Sequence, residues 1–187
     1  MNYKRLLIWG IVMFVLSLRG VVSSAEENTS KNLISNGNFE QGLKSWTITK
    51  DHSPEKASLD KSSFTSGKNS LKLDGTTDDE EPFFIMVEQA LHGKIKPSTE
   101  YILKADIKRT TRGKISVELL ERPQVGSRWT VHYCGLKTEK KLNNWEHFEL
   151  KFKTNSEIQA ALLVIYNVCT GGIAWIDNIE LIEVKAK

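Results

Sequence analysis

The stretch YILKADIKR, residues 101–109, alternates apolar and charged side chains almost without a break. Tyr101, Leu103, Ala105 and Ile107 fall on one side, and Lys104, Asp106 and Lys108 on the other. A period of two belongs to a β-strand with one dry and one wet face. The same signal runs outward in both directions. HFELKFKT (147–154) puts Phe148, Leu150 and Phe152 on one side and Glu149, Lys151 and Lys153 on the other. KISVELL (114–120), AALLVIYNV (160–168) and GIAWIDNIELIEV (172–184) read as further strands. Between them lie turn signals: Lys96-Pro97-Ser98, Thr111-Arg112-Gly113, Leu142-Asn143-Asn144 and Thr170-Gly171-Gly172. No helical stretch of ten or more residues follows the N-terminal segment. Many short strands with turns at this spacing predict an all-β sandwich of two antiparallel sheets.

The chain has 187 residues, and its start reads differently from the rest. Residues 1–25 open on Lys4 and Arg5, continue through an apolar run from Leu6 to Leu18, and end with small Ser23 and Ala25. That is the pattern of a secretory signal peptide. The apolar run is well short of the roughly 20 residues that span a bilayer, so no membrane span is expected after cleavage. Residues 26–31 read as a flexible leader, and 32–184 as one domain. Asn28-Thr29-Ser30 matches a glycosylation acceptor, and Asp78 to Glu81 is an acidic run before Pro82.

The full sequence carries 26 Lys and Arg against 23 Asp and Glu, and residues 1–25 hold Lys4, Arg5 and Arg19 and no acid. The mature chain is therefore nearly neutral, without the basic surplus that nucleic-acid binding needs. Export would place Cys134 and Cys169, the only two cysteines, in an oxidising compartment. A single disulfide between them is the expectation there; two buried thiols are the alternative.

Several pieces occur in a fixed order: NLISNGNFEQGLKSW (32–46), SGKNSLKL (66–73), VEQAL (87–91), IKPSTEYILKADIK (95–108), NNWEHFELKFKT (143–154) and GGIAWIDNIEL (171–181). This ordered set resembles secreted carbohydrate-binding modules of the CenC-like, cellulose- and xylan-binding group, within the galactose-binding-like jelly rolls. The resemblance covers nearly all of residues 32–184. It implies a jelly-roll β-sandwich that binds polysaccharide or oligosaccharide without cutting it, in some cases beside a partner hydrolase. It also implies a structural calcium ion, with ligands at Glu40, at the backbone of Ser66 to Asn69 (Ser66 and Lys68 in particular), and at Asp177. Calcium accepts carboxylate and carbonyl oxygens together. The alternative is that Glu40 caps a turn and Asp177 accepts hydrogen bonds from nearby backbone.

Leu33 and Ile34 are expected to form a short first strand, Asn36-Gly37 a turn, and Phe39 a plug in the core. Sugar binding needs aromatic rings that the core does not use. Trp46, Trp145 and Trp175 read as packing residues. Trp129, after the Pro/Gly loop of RPQVGSRW (122–129), stands apart, with Tyr133 following on the same strand face. Phe83 and Phe84 follow Pro82. These four with Tyr166 form the expected platform, with Gln89 and Arg128 as polar partners and Glu88, Glu118 and Arg122 as further candidates. Glu88 and Gln89 point to opposite faces, and Gln89 is preferred because its amide both donates and accepts.

Two other readings stay open: an extracellular adhesion or protein-interaction sandwich, and a small glycoside-acting hydrolase. Hydrolysis needs two carboxylates across one cleft. WIDNIE (175–180) keeps only part of the ExDxxE strand motif of jelly-roll hydrolases, with Trp175 where its first Glu would stand.

Overall fold

Ten strands carry the alternation read from the sequence. In the computed structural model, residues 31–50, 53–76, 83–110, 114–135, 142–169 and 172–185 are described. The signal peptide, the leader up to residue 30, the glycosylation acceptor, the acidic run 78–81 and the turn 111–113 lie outside the described residues. The strands are β1 (Thr47–Ile48), β2 (Ala57–Asp60), β3 (Ser70–Asp74), β4 (Phe83–Ala90), β5 (Glu100–Arg109), β6 (Lys114–Arg122), β7 (Thr130–Cys134), β8 (Glu146–Lys153), β9 (Ala160–Cys169) and β10 (Ile173–Glu183). A 3-10 turn at Pro54–Lys56 is the one helical element among the described residues. None of them forms a helix long and apolar enough to cross a membrane.

Two five-stranded antiparallel sheets result, ordered β1-β4-β9-β6-β7 and β2-β3-β10-β5-β8. Their facing sides supply the core. In β5, Tyr101, Leu103, Ala105 and Ile107 are buried, as the alternation predicts, while the residues between them are half-buried. From the other sheet, Ile85, Val87, Val117, Leu119, Leu163 and Ile165 close over them and are buried too. Each such aliphatic side chain contributes roughly 1.5–3 kcal/mol by leaving water.

The opening segment is not a strand. Only Asn32 pairs, as an isolated bridge to Ile182, and residues 35–45 form successive turns. Side chains hold this segment together. The Asn36 amide donates to Gly42 O and Lys44 O at 2.8 and 3.0 Å, and the Trp46 indole donates to Asn36 O at 3.0 Å. Phe39 plugs the core at 0% exposure and stacks on Trp46. Leu33 N donates to Leu181 O, and Ile179 N donates to Gly37 O. The segment is thus strapped to β10, the central strand of its sheet.

The expected disulfide is absent. Cys134 is a buried free thiol whose Sγ lies 3.7 Å from Leu103 O. Register explains why. Cys134 pairs with Val117, and Val117 pairs with Ile165, four positions before Cys169 on β9. Two strand spacings and four residues of rise separate the cysteine backbones by roughly 16 Å. A disulfide requires Cα atoms within about 7 Å.

Candidate functional site

The outward side of the β1-β4-β9-β6-β7 sheet is where the non-core aromatics gather. Register places its side chains in rows. Lys114, Val168 and Phe84 share one row across β6, β9 and β4. Ser116, Tyr166 and Met86 form the next. Tyr133, Glu118, Val164, Glu88 and Thr47 form the third, which crosses all five strands. Arg122 ends the same side of β6, opposite Ala160.

Phe84 and Tyr166 lie nearly parallel, with ring centroids 5.6 Å apart and planes at 15°. Offset stacking of this kind suits two ring quadrupoles. Phe84 is 38% exposed and Tyr133 43%, so both rings reach solvent from a strand. Lys114 Nζ stands over both tyrosines, 5.4 Å from the Tyr133 centroid and 5.7 Å from that of Tyr166. Below the rings the floor is dry: Ser116, Glu118 and Val164 are all buried although they point to the outer side. The Ser116 hydroxyl donates to Glu118 Oε1. Burial pushes the Tyr166 hydroxyl above its ordinary pKa, and the Glu118 carboxylate adds to the shift. The result is a rimmed, aromatic surface with a sunken acceptor.

Trp129 stands at the opposite end, just before β7, with the Arg122 guanidinium 4.4 Å from its ring centroid. Arg128 is exposed in the preceding loop. Phe83 begins β4 opposite Cys169, and its side chain lies outside the described set. Trp129, Tyr133, Phe84, Tyr166 and Arg122 therefore share one sheet. The polar partner differs from the expectation. Gln89 is buried on the core side, where it accepts from Ser35 N and donates to Ser35 O, both at 2.8 Å. Glu88 takes the open side instead. Lys114 and Ser116 were not singled out from sequence, although their parity with Glu118, opposite Ile115 and Val117, marks them.

Trp46 is a packing residue as expected, being buried on Phe39. Trp175 is not in the core. It lies on the outer side of the second sheet, donating from Nε1 to Asp60 Oδ2 at 2.7 Å, with Lys108 Nζ 4.9 Å from its ring centroid.

The proposed calcium ligands do converge on one loop, but they meet hydrogen-bond donors there. Glu40 Oε1 accepts from Lys68 N at 2.7 Å and Asn69 N at 2.9 Å. Asp177 Oδ2 accepts from Thr65 N, Thr65 Oγ1 and Ser66 N, and Oδ1 accepts from Asn178 N. Calcium asks for about six to eight oxygens around one point. Among the described residues no three Asp, Glu, His or Cys side chains form such a group. As folded, this set is a hydrogen-bonded latch between loop and β10. Asp177, part of the WIDNIE stretch, is wholly buried and committed to that latch.

Residues 31–169 match the family described as "Carbohydrate binding domain". Among solved structures, the chain is similar to "Family 16 Carbohydrate Binding Module-2", with 21% identity and a TM-score of 0.64, over 81% of this chain and all of that one. It is similar to the CBM22-1 xylan-binding domain from Paenibacillus barcinonensis Xyn10C, with 15% identity and a TM-score of 0.59, over 84% and 97% of the two chains. At these identities the likeness is one of fold. A curated relative, the tRNA(Glu)-specific nuclease WapA of Bacillus subtilis subsp. natto, is 27% identical over 174 residues. That match takes in 86% of this chain but spans only 7% of the relative's length.

Proposed function

Because the chain belongs to the carbohydrate binding domain family, we propose that it is an exported, non-catalytic module that holds a polysaccharide or oligosaccharide on the outer side of the β1-β4-β9-β6-β7 sheet. One observation carries the reading: the nearly parallel Phe84 and half-buried Tyr166 rings, beside the exposed Tyr133 and above the sunken Glu118. Sugar C–H faces stack on such rings. A carboxylate with one oxygen already fixed by Ser116 is held ready to accept from hydroxyl groups, and charged acceptors make the stronger hydrogen bonds. Glu88, in the same row, adds a second acceptor. The xylan named for one structural neighbour and the β-1,4-galactotriose bound by another, TmCBM61, make β-linked polymers the first ligands to try. A partner hydrolase belongs to this proposal as an accessory role, not as a requirement.

Affinity electrophoresis against soluble xylan, β-glucan, galactan and acidic polysaccharides tests it. At least one polymer is expected to retard the wild-type chain. Tyr166→Ala and Phe84→Ala should each weaken that retention about tenfold or more, as central aromatic contacts do, with an unchanged melting temperature. Retention by none of the polymers sinks the proposal and favours a protein partner. Release of reducing sugar from a retained polymer would overturn the non-catalytic half.

A further inference from the structure

Two cations on this face stand on aromatic rings with no acid among the described residues within salt-bridge distance, as Lys108 stands on Trp175 of the other sheet. Lys72, Lys96, Lys104 and Lys151 each stand within 4 Å of an acid, at Asp74, Glu183, Glu149 and Glu100. Among the described residues, Lys114, Arg122 and Arg128 have no such partner, although Glu88 and Glu118 lie on the same face. Glu118 is sunk and turned to Ser116, so it does not neutralise Lys114. Lys114 instead rests on two aromatic faces, and Arg122 on one. The Arg122 Nε atom is buried with no acceptor. Cation–π contact steadies each charge and leaves its hydrogen-bonding capacity unspent.

We propose that the ligand of this face is an acidic polysaccharide of the uronate type, with one sugar carboxylate taken by Lys114 between Tyr133 and Tyr166 and a second by Arg122 above Trp129. The inference rests on the reading of the face as a sugar platform and goes beyond it by naming the chemistry. A carboxylate at Lys114 gains a charge-assisted bond. Arg122 can meet a carboxylate with two parallel N–H groups. The two cations stand eight residues apart along β6, roughly 27 Å, so they fit a chain that carries charge at intervals. Glu118 and Glu88 lie between them and meet its hydroxyl groups. A neutral polymer would leave both cations without counter-charge.

The experiment compares polygalacturonate and alginate with their methyl esters, and with a sulfated galactan and a neutral xylan, by affinity electrophoresis and calorimetry at low and high NaCl. At least one uronate polymer is expected to bind about tenfold tighter than its ester, the size of one good charge-assisted contact. That advantage should shrink with salt. Lys114→Met should bring the acid form close to the ester's affinity, with the melting temperature unchanged. Equal binding of acid and ester, or of xylan, with Lys114→Met silent, overturns the uronate assignment while the platform reading survives. Equal binding of the sulfated galactan marks a bare charge site and overturns it too. Retention of no polymer at all is the failure of the platform reading itself.

Discussion

Replacing Gly37 by alanine tests how tightly the opening segment is held to β10. A Cβ built on Gly37 would stand 2.1 Å from Ile179 O and 3.0 Å from Ile179 C. The obstacle is backbone, so no rotamer change relieves it. Ile179 lies in the irregularity of β10 between Asp177 and Glu180, but the strand is held to β5 on either side of it, through Asp177 opposite Asp106 and Glu180 opposite Lys104. The opening segment must move, and that stretches the 3.0 Å bond from Ile179 N to Gly37 O. Losing a bond of this kind costs about 1 kcal/mol. Forcing extra volume into a packed contact adds about 1–3 kcal/mol. Alanine's lower entropy in the unfolded chain returns about 0.4–1 kcal/mol. The net expectation is roughly 1–3.5 kcal/mol of destabilisation. For a domain of this size, that lowers Tm by roughly 2–14 °C. Thermal and urea unfolding, followed by tryptophan fluorescence, read it directly, since Trp46 is anchored to this turn through Asn36 O. Gly93→Ala is the comparison, because nothing lies within 4 Å of its Cβ and only its positive φ opposes the change. A Gly37→Ala protein that melts at or above wild type would refute the close approach.

Other expectations concern the latch, the acid range and the free thiol. Asp177→Asn keeps the shape but turns an amide group toward N–H and O–H donors; it should cost about 2–4 kcal/mol, and an unchanged urea midpoint would show that the latch carries no weight. Chelation should leave Tm unchanged, because the loop is closed by amide hydrogens; a fall in Tm reversed by added calcium would contradict the latch. Asp60 is held down to about 2: burial pushes its pKa up, but the Ser62 hydroxyl, the Trp175 indole and the Ser62 and Ser63 amides outweigh it. Its folded value lies below the unfolded one, so its contribution is full above about pH 4 and fades as pH falls toward 2, by roughly 1–2 kcal/mol. Asp60→Asn should flatten that part of the stability curve, and a curve as steep as wild type would count against it. Burial, with a smaller push from Glu149, raises the Cys134 thiol to about 12; alkylation followed by peptide mapping should find it unmodified in the native protein and modified after unfolding.

Strand identity was legible because burial on one side writes itself into alternate positions. YILKADIKR and KISVELLER needed no knowledge of partners to be read as strands. The same parity also held information that residue chemistry obscured. Ile85, Val87 and Gln89 share one side of β4, so a buried Val87 takes Gln89 inward with it. There its amide ties down Ser35, and Glu88 is left on the open side. Trp175 has the parity opposite to Ala174 and Ile176, which are buried, and so faces out. Other features depend on register between strands distant in sequence, which one strand's pattern does not contain. Cysteine count cannot tell that Cys134 and Cys169 sit on rows four residues apart. Lys114 reaching two tyrosines from two different strands is a diagonal contact of the same kind.

The two outer faces of the sandwich solve the same problem in opposite ways. A sheet with one face in the core must make the other compatible with water. On the β2-β3-β10-β5-β8 sheet many of the exposed groups satisfy one another: Lys72 with Asp74, Lys104 with Glu149, His147 with Asp106, and Trp175 with Asp60, while Lys108, over the Trp175 ring, donates to Ser63 Oγ. That face has less left to offer a ligand. On the other sheet, Phe84 and Tyr133 stay exposed, Glu118 is desolvated beneath the rings, and Lys114 and Arg122 rest on rings without an acid. Each of these arrangements forgoes stability that ordinary surface residues would supply. A ligand with flat apolar faces, hydroxyl groups and negative charge would relieve all of them at once, which is why the aromatic side of the sandwich, and not its charged side, is the place to look for binding.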